Sequence, residues 1–136
     1  MTEIHAALGL VNLKNYDDVL KDRKFKYQYY MSNLSKLPNL EFQKFNNHGE
    51  TNYSYFPVIF NGEDELLNTE KTLNENGFFP RRYFYPSVNK FNNILETERC
   101  PLSESVAKRI LCLPLYKNLK IKKIDEIVRL IVKSNY

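Results

Sequence analysis

Apolar residues recur at three-to-four spacing through the first part of the chain. Ile4, Ala7, Leu8 and Val11 make one stripe, Val19 and Leu20 continue it, and Pro38 closes the segment. The pattern predicts helix over most of the first forty residues, with Thr2 as its N-cap. Leu13 and Tyr16 shift the stripe sideways, and Asp17-Asp18 favours a fresh helical start, because carboxylates are stabilised at the positive end of a helix. The expectation is one long or slightly bent helix that can break near Asn15. Leu40 to Phe45 then alternates with the period of a strand, and after the polar stretch Asn46-Asn47-His48-Gly49-Glu50 a more apolar strand runs from Tyr53 to Phe60. Pro57 removes a ladder donor from that run, which predicts a sheet edge or a bulge there.

Asn61-Gly62 serves as turn and helix entry. Leu66, Leu67 and Leu73 lie on a helix from about Glu63 that stops at Gly77. Phe78 to Phe84 is expected to return as a strand. The segment from Pro86 to Arg99 is polar and irregular, with Phe91, Ile94 and Leu95 as its apolar anchors, and loops of this length are often functional. Pro101 suits the first turn of a helix presenting Leu102, Val106 and Ile110, and Pro114 ends that region. A last helix carries Ile121, Ile124, Val128 and Ile131 on one face, with Lys122, Lys123 and Arg129 outside. The order of elements predicts an α+β fold in which a small antiparallel sheet of about three strands is covered by helices. With 136 residues and no internal repeat or linker, residues 1–136 form one domain.

Composition narrows the function classes. The formal charge of +4 arises from twenty Lys and Arg interleaved with sixteen acids, so no basic stripe for nucleic acid is built. Tyr27, Tyr29 and Tyr30 among Arg23, Lys24 and Lys26 imitate one, but on a helix these positions spread over more than one face and read as a half-buried helix with solvated lysines. Cys100 and Cys112 form no framework, which predicts reduced thiols and a cytosolic protein, and with two His they offer no metal-ligand spacing. No apolar run is long enough for a membrane span.

Candidate chemistry concentrates in Phe78-Phe79-Pro80-Arg81-Arg82-Tyr83-Phe84-Tyr85-Pro86, where two guanidiniums stand between aromatic rings and prolines. An arginine held against rings can pair bidentately with phosphate or carboxylate, so the run suits an anionic, partly planar ligand. Adjacent strand residues point to opposite faces, so only one of the two can face a given pocket. On composition alone, a surface arginine pair flanking a core strand is the more ordinary reading. His5 reads as a packing or interface residue, His48 as solvated, Glu63-Asp64-Glu65 as carboxylates at a helix start, and Cys112 as a small buried hydrophobe.

Three segments in register carry a resemblance. Met1-Thr2-Glu3-Ile4-His5-Ala6-Ala7-Leu8-Gly9, the run Arg81 to Pro86, and Cys100-Pro101-Leu102-Ser103-Glu104 leading to Leu111-Cys112-Leu113-Pro114-Leu115-Tyr116 resemble the C-terminal part of the DegT/DnrJ/StrS sugar aminotransferases. That family shows M-[ST]-E-[IF]-x-A-A-x-G, R-x-Y-[FY]-x-P and C-P-x-[AS]-E…L-x-L-P-[LM]-Y. If Arg81 opens the second pattern, Tyr83, Phe84 and Pro86 fall into place. The resemblance implies the small C-terminal domain of a fold-type I enzyme that uses pyridoxal phosphate to move an amino group from glutamate or glutamine to a nucleotide-linked keto-sugar. It implies a homodimer, and substrate-binding roles for Arg81, Tyr83, Phe84, Tyr85 and Pro86, with Tyr83 and Tyr85 orienting Arg81. The Schiff-base lysine and the groups around the cofactor are implied to lie in a larger N-terminal domain. The chain is therefore expected to be a truncated product or an expressed domain that holds no cofactor and has no catalytic residue of its own. The alternative is a non-enzymatic anion-binding or interaction module that keeps the aromatic-arginine site.

Overall fold

The computed structural model describes residues 2–46, 48–91 and 98–135. The expected long helix is two helices, α1 (Glu3–Lys14) and α2 (Tyr16–Leu34). Thr2 caps α1 by accepting from the His5 N–H at 3.4 Å, and its hydroxyl also lies 2.7 Å from His5 Nδ1, so exposed His5 is part of the cap. Asn15 breaks the run because its side-chain amide donates back to the Val11 carbonyl at 2.9 Å, and Asp17 and Asp18 open the first turn of α2. No residue of α1 is buried. On α2, Tyr27, Tyr30 and Leu34 are buried at helical spacing. The sequence reading of solvated lysines fails at Lys26, which is 4% exposed.

The sheet is antiparallel with order β1-β2-β3, comprising β1 (Leu40–Phe42), β2 (Phe56–Phe60) and β3 (Ile110–Leu113). Phe56, Val58 and Phe60 alternate onto one face of β2 and are fully buried, with Leu40, Leu111 and Leu113 from the flanking strands beside them. Tyr27, Tyr30 and Leu34 of α2, Leu66 and Leu73 of α3 (Glu63–Glu75), and Ile124, Ile127 and Ile131 of α5 (Ile121–Asn135) complete the core. Phe56 is its aromatic centre, with ring centroids 4.7 Å from Tyr30, 4.8 Å from Tyr27 and 6.1 Å from Phe42. Tyr53, expected to begin β2, has φ 49°, outside extended backbone; pairing starts at Phe56.

Three sequence expectations are corrected here. Pro57 lies neither on an edge strand nor at a bulge but in the central strand, opposite Cys112, at a point that β1 does not reach. Cys112 exchanges both backbone bonds with Arg81, at 2.8 and 3.0 Å, so the Pro57 nitrogen faces the β1 side, one residue beyond the last β1 pair at Phe42↔Val58. No ladder bond is lost. Secondly, Phe78 to Phe84 is not a strand: Arg81 alone bridges to β3. Thirdly, α4 (Pro101–Arg109) stops before Ile110, which opens β3 instead of extending the helix face, and Leu102 is 78% exposed. α3 ends as expected at Gly77, whose φ of +80° suits a residue without Cβ.

The second sheet face, carrying Cys112 and Ile110, positions the site. Beyond Pro86 a 3₁₀ turn spans Val88–Lys90. Glu104 fastens this loop to the start of α4, since Asn89 donates to its carboxylate at 2.7 Å, the Lys90 ammonium lies at 3.1 Å, and the Cys100 N–H donates at 3.1 Å. These three contacts hold the Glu104 carboxyl down at about 2. Phe91 is 44% exposed and anchors little, whereas Ile94 and Leu95 lie outside the described residues.

Candidate functional site

Where β3 meets the Arg81 bridge, a cleft of about 350 Å³ opens over Cys112. One wall is the segment Phe78 to Tyr83, brought there by Gly77 and pinned through Arg81 N–H and C=O to Cys112. The other is Leu113 to Tyr116, which leaves β3 at Pro114; Tyr55 closes the end. Arg81 is exposed into this cleft among Tyr55, Phe79, Tyr83 and Tyr116, and Tyr55 meets Tyr83 edge-on with centroids 5.3 Å apart. A guanidinium fixed at its backbone in a cleft that aromatic residues also line has the chemistry to pair with an anion joined to a planar group.

The neighbouring arginine has a different fate. Arg82 Nη2 donates to Glu63 Oε1 at 2.8 Å and to the Lys108 carbonyl at 3.0 Å, and the Tyr85 ring lies 3.8 Å from its guanidinium carbon. That hydrogen bond lowers the Glu63 carboxyl below its usual value. Glu63 therefore does more than face a helix dipole: it binds the strap 81–86 to α3.

Of the residues expected in the site, Arg81 and Tyr83 share the cleft. Phe84 is 69% exposed and lines a neighbouring hollow of about 210 Å³ with Tyr83, Val106 and Ile110. Tyr85 packs on Arg82, not on Arg81, so it orients the strap and not the cleft guanidinium. Pro86 is half-buried after a cis Tyr85-Pro86 bond, and Tyr83-Phe84 is also cis. The sequence reading gave no role to Tyr55 or Tyr116. Tyr116 closes the L-x-L-P-L-Y segment, and that was its only signal; Tyr55 had none.

Cys112 forms the cleft floor, and burial pushes its thiol up to about 11, which suits a packing residue and not a nucleophile. Among the described residues no group of three or more His, Cys, Asp or Glu is placed to hold a metal, and no helix is long and apolar enough to cross a membrane.

The geometry defines an α+β fold with an aromatic cleft carrying one arginine at one sheet edge. The chain belongs to the DegT/DnrJ/EryC1/StrS aminotransferase family, whose model matches residues 1–132. It is 30% identical over 139 residues to dTDP-4-amino-4,6-dideoxy-D-glucose transaminase of Escherichia coli, covering 97% of this chain and 38% of that protein. It is 28% identical over 140 residues to GDP-perosamine synthase of Vibrio cholerae, covering 100% of this chain and 37% of that protein. The fold matches that of the aminotransferase TlmJ from Streptoalloteichus hindustanus with a TM-score of 0.87 at 18% identity, over 95% of this chain and 35% of that one. The chain thus spans under two-fifths of the curated relatives' length.

Aminotransferases of this family use pyridoxal phosphate, which needs an amine to hold it as a Schiff base. The cleft lining offers one guanidinium and several phenols but no lysine, and buried Lys26 is already bound to Asp22 and to the Tyr116 carbonyl. These residues do not fit that cofactor, and no step through it is assigned to them.

Proposed function

We propose that this chain is the small-domain part of a cytoplasmic, pyridoxal-phosphate-dependent aminotransferase acting on a nucleotide-linked keto-sugar, and that it supplies one wall of the sugar-nucleotide pocket. The observation that carries this reading is the division of labour between the two arginines. Arg82 is committed to Glu63, Lys108 and Tyr85, whereas Arg81 stands in an aromatic cleft with its main chain fixed. A nucleoside diphosphate offers this cleft both partners it suits, phosphate oxygens for Arg81 and a planar base for Tyr55, Tyr83 or Tyr116. The relatives' names contain dTDP- and GDP-linked sugars, in keeping with that chemistry. The cofactor lysine belongs to residues other than these, so this chain alone is inactive. The test supplies the natural-length protein with pyridoxal phosphate, glutamate or glutamine, and dTDP- or GDP-linked keto-sugars, and follows the keto-to-amino mass change. Conversion of one nucleotide class is expected. Conversion of none, or conversion by residues 1–136 alone, overturns the reading.

The same reading includes a homodimer. Helix α1 exposes Ile4 at 80%, Leu13 at 71%, and Leu8, Leu10 and Val11 each at more than half, an apolar surface that needs a cover. Leu8→Glu with Val11→Glu is expected to shift a dimer towards monomer in sedimentation across a concentration series. A wild-type protein that stays monomeric at every concentration refutes the dimer.

A further inference from the structure

Lys26 is the residue least explained by packing. Its side chain is 5% exposed on α2, where an apolar residue of similar volume would fill the space without desolvating an ammonium. Two partners compensate for that burial. Asp22, one turn earlier, forms the ion pair, and Lys26 Nζ donates to the Tyr116 carbonyl at 3.1 Å across 90 residues of sequence. One turn further along α2, the fully buried Tyr30 donates its hydroxyl to the Pro114 carbonyl at 3.1 Å. Both donors grip main-chain oxygens of the segment that forms the wall opposite Arg81. The Tyr116 carbonyl also accepts from the Leu119 N–H at 3.2 Å, so Lys26 holds the turn by which the chain leaves the cleft for α5.

We propose that Lys26 is a positioning residue for the cleft: by holding the Tyr116 carbonyl it fixes the Tyr116 ring at the distance from Arg81 that a nucleoside diphosphate requires. This rests on the functional reading above, since only a ligand spanning both walls senses their separation. Lys26 touches no ligand itself.

The test uses Lys26→Met in the natural-length protein, which keeps the aliphatic stem and removes the donor. Asp22 is 34% exposed and regains water, so the variant is expected to fold with an unchanged melting temperature. Hydrogen exchange, with no ligand present, is expected to quicken roughly tenfold at the Leu119 amide while amides of α3 and α5 keep their rates. Affinity for dTDP or GDP, whichever the wild type binds, measured by calorimetry, is expected to fall roughly three- to tenfold. Tyr116→Ala combined with Lys26→Met is expected to lose no more than Tyr116→Ala alone, because one residue acts through the other. Should Lys26→Met unfold the protein, Lys26→Arg, which retains a donor, must restore both exchange and affinity. Unchanged Leu119 exchange, or losses that add in full, overturn the proposal. A wild-type protein that binds neither dTDP nor GDP counts against the functional reading, and the exchange result still decides whether Lys26 holds the wall.

Discussion

Phe56→Ala is expected to remove about 3–5 kcal/mol of folding stability, the range for deleting a buried aromatic side chain. Phe56 is fully buried on the central strand, and its neighbours come from separate elements: Tyr27 and Tyr30 from α2 and Phe42 from β1. Tyr30 cannot move into the vacated volume without releasing the Pro114 carbonyl, so the cavity stays open and the cost falls at the high end. Urea denaturation checks this through a lower midpoint at unchanged slope. A loss under about 1 kcal/mol would mean that the rings repack freely around the deletion and that Phe56 is not the centre of the core.

The second large effect is on binding. Arg81→Ala is expected to weaken nucleotide-sugar affinity by about 1.5–3 kcal/mol, roughly ten- to hundredfold, because a charge-assisted hydrogen bond is lost in a cleft with no other cation among the described residues that line it. The backbone bridge to Cys112 uses only the amide and carbonyl of residue 81, so the variant keeps its cleft wall. Calorimetric titration of the natural-length protein with the preferred nucleotide sugar measures the change. Affinity equal to that of wild type would return Arg81 to an ordinary solvated surface residue.

Local chemistry accounts for what the sequence reading captured. Thr2 as a cap, the stop at Gly77 and the apolar face of α5 each depend on residues within one or two helical turns; the first two stand as expected, and the third holds with Ile127 added to its buried set and Ile121 and Val128 at its margin. The three-stranded antiparallel sheet was legible too, but not which segment forms its third strand. Ile110 to Leu113 is a short apolar run directly following a helix, and periodicity cannot separate four such residues from one more helical turn. The aromatic run Phe78 to Phe84 looked the better strand, yet only Arg81 finds a partner on the short β3 edge. Strand alternation led to the expectation that one of two adjacent arginines turns away, and the two do part although the segment is not a strand. Which one does so is decided by Glu63, 19 residues earlier. Lys26 was illegible for the same reason, because the carbonyl that justifies its burial lies 90 residues away.

Apart from the Arg82–Glu63 ion pair, which lies outside the cleft, the bonds that hold the two cleft walls end on main-chain atoms of the wall segments: the amide and carbonyl of Arg81, and the carbonyls of Pro114 and Tyr116. Such anchors are indifferent to what side chain stands at Phe79, Tyr83 or Tyr116. Folding and ligand preference are thereby placed under separate control, and successive substitutions can recolour the cleft while the architecture beneath it stays constant. Drift between one ligand and another can thus proceed by single exposed residues, without passing through an unfolded intermediate sequence.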